Sequence, residues 1–264
     1  MSRALITNLR KLSRKKYRSQ NRQFIAEGLR TVDQIMANSM LRIDYLVFDE
    51  SSGIGDHRIF RDLHPSVKQI KLNRKEFSDV SATDSPQGVL AVCTMPEPAD
   101  LADFHSKKGC IVALNRIQDP GNTGTILRTS AWFGASGILC DTGTADLFHP
   151  KVVRSAAGAT AALPWWEGSL EKGLDELESH GWKTYLLDAG DSPVLLRDVT
   201  PAEKTILTIG NEAGGIDKLL MKPHRTRVRI PAGGKAPAVE SLNASVALSV
   251  ALYEFIHSLS TMRN

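Results

Sequence analysis

The apolar run Cys110-Ile111-Val112-Ala113-Leu114 leads through Asn115 and a short polar stretch into Pro120-Gly121-Asn122-Thr123-Gly124. Uninterrupted apolar residues ending at a Pro-Gly break predict a strand buried on both faces, which belongs to a sheet covered by helices. The Pro-Gly-Asn-x-Gly turn then opens a helix, expected over 122–133, that carries Asn122 and Arg128. A strand, a tight turn with two glycines, and an amide and a guanidinium beyond it suggest a site rather than scaffold. Arg128, among Ile126, Leu127, Ala131 and Phe133, needs a partner: a phosphate or hydroxyl of a substrate, or an Asp or Glu of the chain. Asn122, at the expected helix start, is as well suited to N-capping as to binding.

The alternation of strand and helix extends along the chain. Before residue 95, strands are expected at 24–26, 43–48, 67–72 and 89–93, with helices at 28–36, 58–63 and 75–80. That pattern predicts a small α/β domain with a mostly parallel sheet. Met95-Pro96-Glu97-Pro98-Ala99-Asp100 reads as a linker. The expected organisation is therefore a domain over 1–95, a linker over 96–107 and a second α/β domain over 108–264, with 264 residues ample for two domains. In the second, strands are expected at 110–115, 137–140, near Trp165, 182–187, 205–210 and 226–230. Helices are expected at 150–157, 170–180, 215–221 and 242–258, besides the one at 122–133.

Charge is concentrated at one end. Residues 1–22 contain eight of the 33 basic residues and no acid, leaving 25 bases against all 29 acids elsewhere. Leu5, Leu9 and Leu12 recur among them at helical spacing, predicting an amphipathic helix. Arg10, Lys11, Arg14, Lys15, Lys16 and Arg18 are then candidates for a phosphate backbone, bound through counterion release, the alternative being a solvated face.

Other chemistries find little support. No G-x-G-x-x-G follows a strand and no P-loop pattern occurs, against dinucleotide and P-loop enzymes. His57, His64, His105, His149, His180, His224 and His257 are scattered, so no metal is expected. Cys93, Cys110 and Cys140 read as buried, reduced thiols, and the absence of a membrane span or signal peptide agrees with a cytosolic protein. Trp165-Trp166 is more consistent with packing than with base stacking, whereas Lys151, Arg154 and Ser155 are candidates for the nucleic-acid side of a site.

Two later segments complete the pattern. Ile206-Leu207-Thr208-Ile209-Gly210 is a second buried strand, followed by Asn211-Glu212-Ala213-Gly214-Gly215. Arg229-Ile230-Pro231 opens a Gly/Pro/Ala loop that ends at Glu240-Ser241-Leu242-Asn243-Ala244 and a long apolar helix. In this order the three segments resemble the SpoU (TrmH-type) RNA 2'-O-ribose methyltransferases of the SPOUT superfamily. The first domain is similar to the RNA substrate-binding domain that precedes many of them, through Ile6-Thr7-Asn8-Leu9, Lys15-Lys16-Tyr17-Arg18, Phe24-Ile25-Ala26-Glu27-Gly28 and Ser85-Pro86-Gln87-Gly88-Val89-Leu90-Ala91.

The resemblance implies methyl transfer from S-adenosylmethionine to a ribose 2'-hydroxyl of ribosomal or transfer RNA, a deep trefoil knot in the second domain, and a homodimer. It implies that Arg128, Asn122, Glu212, Ser241 and Asn243 act on substrate, with Glu212 orienting Arg128 or a ribose hydroxyl. It implies that Thr208, Gly210, Ile230 and Leu242 hold the cofactor. Capping of the last helix by Ser241 and Asn243 is compatible with these roles. The third segment departs from the family pattern: it lacks the Met after Ile230-Pro231 and is about three residues longer, with Lys235 in the loop. Two alternatives stay open, a catalytically inactive ribosome-assembly factor on the same fold and an RNA base methyltransferase.

Overall fold

The computed structural model describes residues 3–38, 40–188, 190, 193–233 and 239–261. The chain divides into two compact units, Met1–Glu97 with Asp146–Ala162, and Pro98–Ala145 with Leu163–Asn264.

In the first unit the basic N-terminus forms two helices, α1 (Arg3–Lys11) and α2 (Lys15–Asn21). Leu9 and Leu12 are buried and Leu5 packs beside them, as the helical spacing predicts. Then come β1 (Gln23–Glu27), α3 (Leu29–Met36), β2 (Ile43–Asp49), α4 (Arg58–Arg61), β3 (Lys68–Leu72), α5 (Arg74–Val80) and β4 (Val89–Thr94). The sheet order is β1-β4-β2-β3. Its pairing corrects the expectation of a mostly parallel sheet: β4 runs antiparallel to both β1 and β2, and only β2 and β3 are parallel. An alternation of strands and helices does not by itself fix strand direction, which depends on how each connection crosses the sheet. Here the last strand inserts between the first two, an arrangement that local sequence does not record. Strand-end contacts secure the entry to α3: Gly28 adopts φ +100°, and the Gln87 side chain accepts from the Leu29 amide at 3.0 Å.

The second unit begins with β5 (Gly109–Asn115), α6 (Pro120–Trp132) and β6 (Gly137–Asp141). The next helix, α7 (Pro150–Ala156), belongs to the first unit, although the linker-based boundary includes it in the second. Phe148, ahead of α7, packs on Phe24 with ring centroids 5.0 Å apart. The second unit continues with β7 (Trp165–Gly168), α8 (Leu170–Ser179), β8 (Lys183–Leu187), β9 (Val194–Leu195), β10 (Lys204–Gly210), β11 (Thr226–Arg229) and α9 (Ala244–Thr261). The helix expected at 215–221 is only a 3-10 turn at Lys218–Leu220.

These strands form a sheet of order β7-β6-β5-β10-β8-β11-β9, parallel throughout. Such a sheet needs apolar cover on both faces. Leu170, Leu174 and Leu177 of α8 share one cluster with Phe104, Trp182, Ile111 and Ile206, and Trp166 packs against it. Elsewhere α9 meets the sheet, with Phe255 edge-on to Tyr185 at 5.0 Å. The fully buried Arg225 side chain bonds Glu178 and Asp175, tying the approach to β11 to α8. Burial opposes charge on Glu178, but bonds from Arg225, Thr184 and His224 outweigh it and hold the carboxyl below its ordinary value. Among the described residues no helix is long and apolar enough to cross a membrane.

Candidate active site

Strands β5 and β10 lie side by side in register, with Gly210 opposite Asn115 at their carboxyl ends. From β5 the chain continues to β6 on one side, while β10 is succeeded by β11 on the other. Open α/β sheets bind ligands where the strand order diverges in this way. Gly210 is required here: a Cβ would stand 2.3 Å from the carbonyl carbon of Gly215, because residues 211–215 fold back over the strand end. That fold is closed by reciprocal backbone bonds between Asn211 and Gly215, at 3.0 and 2.8 Å.

Buried polar groups hold this corner. Asn115 donates to Asp141 at 2.8 Å and accepts from the Asp217 amide at 2.8 Å, joining β5, β6 and the end of the turn. Arg116 adopts the left-handed region at φ 53°, an uncommon conformation for a non-glycine residue. Its side chain pairs with Asp217, and its carbonyl accepts from Asn211 at 2.9 Å. Asp141, Asn211 and Asp217 are positioning residues that the sequence patterns do not reveal. Asn115 and Asp217 are far apart in the chain, and neither belongs to a local pattern that announces their meeting.

Helix α6 starts two residues earlier than expected. Asp119 is its N-cap, accepting from the Asn122 amide at 2.7 Å, and Pro120 fills the first turn. The capping role considered for Asn122 therefore falls to Asp119, part of an Asp-Pro pair whose signal is present in the sequence. This leaves the Asn122 side chain available to others: it donates to the Glu212 carboxylate and accepts from Asn243 Nδ2 at 2.9 Å. Asn243 caps α9 with its oxygen, which accepts from the Ser245 amide at 2.9 Å. One residue from each of the three sequence segments is thus joined in a single chain of bonds.

Arg128 lies farther along α6 on its exposed side, whereas Ile126 and Leu127 are buried. Among the described residues it has no ion pair or hydrogen bond, so neither the acid partner considered from sequence nor a bond from Glu212 is present. An unpaired guanidinium on the helix that carries Asn122 offers a planar double donor to phosphate or to an oxygen gaining charge. Ser241 is exposed and lies outside the network.

Residues suited to a cofactor come from β10, the end of β11 and the approach to α9. Thr208 is fully buried in β10 and its hydroxyl has no partner among the described residues. Ile230 follows β11, half-buried, and Leu242 is 47% exposed before α9. An orphan hydroxyl, a glycine-shaped strand end and uncovered apolar side chains fit the nucleoside and methionine parts of S-adenosylmethionine. Lys235 and the extra loop residues 236–238 lie outside the described residues. No group of three or more His, Cys, Asp or Glu side chains suited to a metal occurs among the described residues.

In the first unit, Arg10, Lys11, Arg14, Lys15 and Lys16 are exposed. Arg18 is not: at 1% exposure it donates to the Leu12 carbonyl at 2.8 Å and pairs with Asp146. It therefore secures the fold and is withdrawn from the phosphate-binding set. Its charge has a neighbour in His149, which caps α7; burial first, and then Arg18, lower the affinity of that imidazole for a proton.

Residues 109–253 match the SpoU rRNA Methylase family, and residues 4–91 match the MRM3-like substrate binding domain. The chain belongs to the SpoU rRNA methylase family. It is 32% identical to the 23S rRNA (guanosine(2553)-2'-O)-methyltransferase RlmP of Bacillus subtilis, over 94% of each chain. Among solved structures it is similar to the AdoMet-bound rRNA methyltransferase of Sinorhizobium meliloti, with TM-score 0.79, 29% identity and coverage of 96% of this chain and 94% of that one. The SpoU methyltransferase AviRb of Streptomyces viridochromogenes superposes with TM-score 0.82, 25% identity and 98% of both chains covered.

Proposed function

We propose that this member of the SpoU family transfers a methyl group from S-adenosylmethionine to a ribose 2'-hydroxyl of ribosomal RNA. The observation that carries the reading is the joining of Glu212, Asn122 and Asn243 near the start of α6, the helix that bears the unpaired Arg128. S-adenosylmethionine, when bound, supplies a methyl group on a sulfonium centre. The protein's task is to align the hydroxyl and make it a better nucleophile; alignment alone is worth about 7–11 kcal/mol in well-oriented reactions. Arg128, with a guanidinium that keeps its proton, holds the adjacent phosphate and stabilises negative charge developing on the 2'-oxygen. The hydroxyl proton leaves to phosphate or water. Asn122 holds the Glu212 carboxylate at the strand end, and Asn243 fixes Asn122. Gly210, Ile230, Leu242 and Thr208 surround the cofactor, and Ser241 contacts substrate.

The finer organisation follows the family resemblance. Trp132 on α6 and Val246, Val250 and Tyr253 on α9 are exposed, Trp132 by 83%, and this exposed apolar surface supports a homodimer. The second unit is inferred to contain a deep trefoil knot, a claim that an experimental structure tracing the chain through residues 234–238 would test. Three free, buried cysteines, with burial pushing the Cys110 thiol up to about 12, agree with a cytosolic location, testable by fractionation. The exposed cations of α1 and α2 take the RNA backbone.

Titration calorimetry with S-adenosylmethionine tests the reading against that of an inactive assembly factor. Saturable one-site binding per chain is expected. Heats indistinguishable from dilution at millimolar cofactor would contradict it.

A further inference from the structure

The first unit contains a cavity of about 320 Å³ lined by Leu5, Asn8, Leu9, Leu12, Asn21, Gln23, Tyr45 and Val92. Its volume falls at the lower end of the ~300–1,000 Å³ range of small-ligand cavities. Its composition is divided in a useful way. Leu9, Leu12 and Val92 are buried members of the core and give an apolar floor, against which Leu5 and the Tyr45 ring pack. The remaining lining residues are amides. Asn8 and Asn21 are exposed and have no side-chain hydrogen bond among the described residues. Gln23 spends its amide nitrogen on Asp44 at 2.8 Å, which leaves its carbonyl oxygen as an acceptor.

An apolar floor with an aromatic wall and carboxamide groups suits a flat heteroaromatic ring that carries donors and acceptors on its edge. Unpaired nucleobases are recognised in this way, by stacking on aromatic side chains and hydrogen bonding along the base edge. The surroundings favour a base that is part of a polynucleotide. Asn8, Leu9 and Leu12 alternate in sequence with Arg10 and Lys11, and Arg14, Lys15 and Lys16 follow, all of these cations being exposed. The lining itself has no charged group, so attraction to phosphate and recognition of a base are assigned to adjacent but different residues.

We propose that this cavity receives one unpaired nucleobase of the RNA substrate, read by Asn8, Asn21 and the Gln23 carbonyl. The sequence motif around Ile6-Thr7-Asn8-Leu9 thereby gains a role that the methyl-transfer site does not use. The proposal rests on RNA being the substrate. It makes the cavity a specificity element that selects an exposed base in the target, separate from the cations that bind any backbone.

The test uses the full chain and the four 5'-ribonucleoside monophosphates as probes, followed by NMR of methyl-labelled Leu and Val and of Tyr ring signals. Dose-dependent shifts at Leu5, Leu9, Leu12, Tyr45 and Val92, with one base preferred at least threefold, are expected. In parallel, Asn8→Ala/Asn21→Ala, both at exposed positions, is expected to raise the KM for the RNA substrate at least fivefold while kcat stays within twofold. No shift at these signals, or shifts equal for all four bases, would overturn the proposal. An unchanged KM in the double variant, with methyl transfer intact, would overturn it too and leave the methyltransferase reading standing. Base-selective shifts in a protein that neither binds S-adenosylmethionine nor methylates RNA would support the cavity and sink that reading instead.

Discussion

Arg128 has no partner among the described residues, and a long charged side chain at a helix surface without one is poorly explained by stability. Replacing it with alanine is expected to abolish methyl transfer while the dissociation constant for S-adenosylmethionine changes less than about tenfold, or roughly 1.4 kcal/mol. The residues suited to the cofactor come from β10, the end of β11 and the approach to α9, not from α6. Radiolabel transfer and calorimetry on the same preparation would check this; near-normal turnover in a folded variant would remove Arg128 from the site. At this scale the sequence is informative but incomplete. Asn122, Glu212 and Asn243 stand out because each follows or starts an element bounded by Gly or Pro. Their mutual bonds are not legible, and neither is the support from Asn115 and Asp217, since these depend on which strand ends become neighbours. Arg18 escapes for a related reason. In a run of eight cations nothing local distinguishes the one that turns inward to Asp146.

The basic segment, proposed to bind RNA, is also part of the first unit's core. Removing residues 1–22 would delete the buried Leu9, Leu12 and Arg18 along with the cations, so truncation would confuse unfolding with weakened binding. Neutralising Arg10, Lys11, Arg14, Lys15 and Lys16 to glutamine leaves the buried side chains intact. The slope of log affinity for RNA against log salt is expected to become shallower by about 0.7–0.9 for each phosphate that is no longer neutralised. Binding measured by fluorescence anisotropy across a salt series would show it, and an unaltered slope would make α1 and α2 a solvated face. Individual elements are largely readable: the apolar runs at 110–115 and 205–210 become the central strands β5 and β10. The element that escapes is β4. Its own pattern gives a strand, but its antiparallel insertion between β1 and β2 is decided by tertiary pairing.

For the whole molecule, helix α9 is buried on one side through Leu248, Ala251, Leu252 and Phe255 and exposes Val246, Val250 and Tyr253 on the other. A helix apolar all round has two surfaces to cover, and one copy of the chain covers one. Light scattering is therefore expected to give twice the chain's 28.9 kDa for the native protein. Val250→Asp should shift it toward the monomer, because a charge at an apolar contact must be desolvated. A native monomer at micromolar concentration would remove the dimer. The two-domain character is legible from the Pro-containing linker, whereas the return of residues 146–162 to the first unit is not. The central claim, methylation of ribose, is tested most directly by incubating the purified protein with S-adenosylmethionine and ribosomal RNA from cells lacking the gene, then locating the new methyl group by nuclease digestion and mass spectrometry. One 2'-O-methylated nucleoside, absent with the Arg128→Ala variant, is the expected result; a methyl group on a base, or none at all in a protein that binds the cofactor, would contradict the claim.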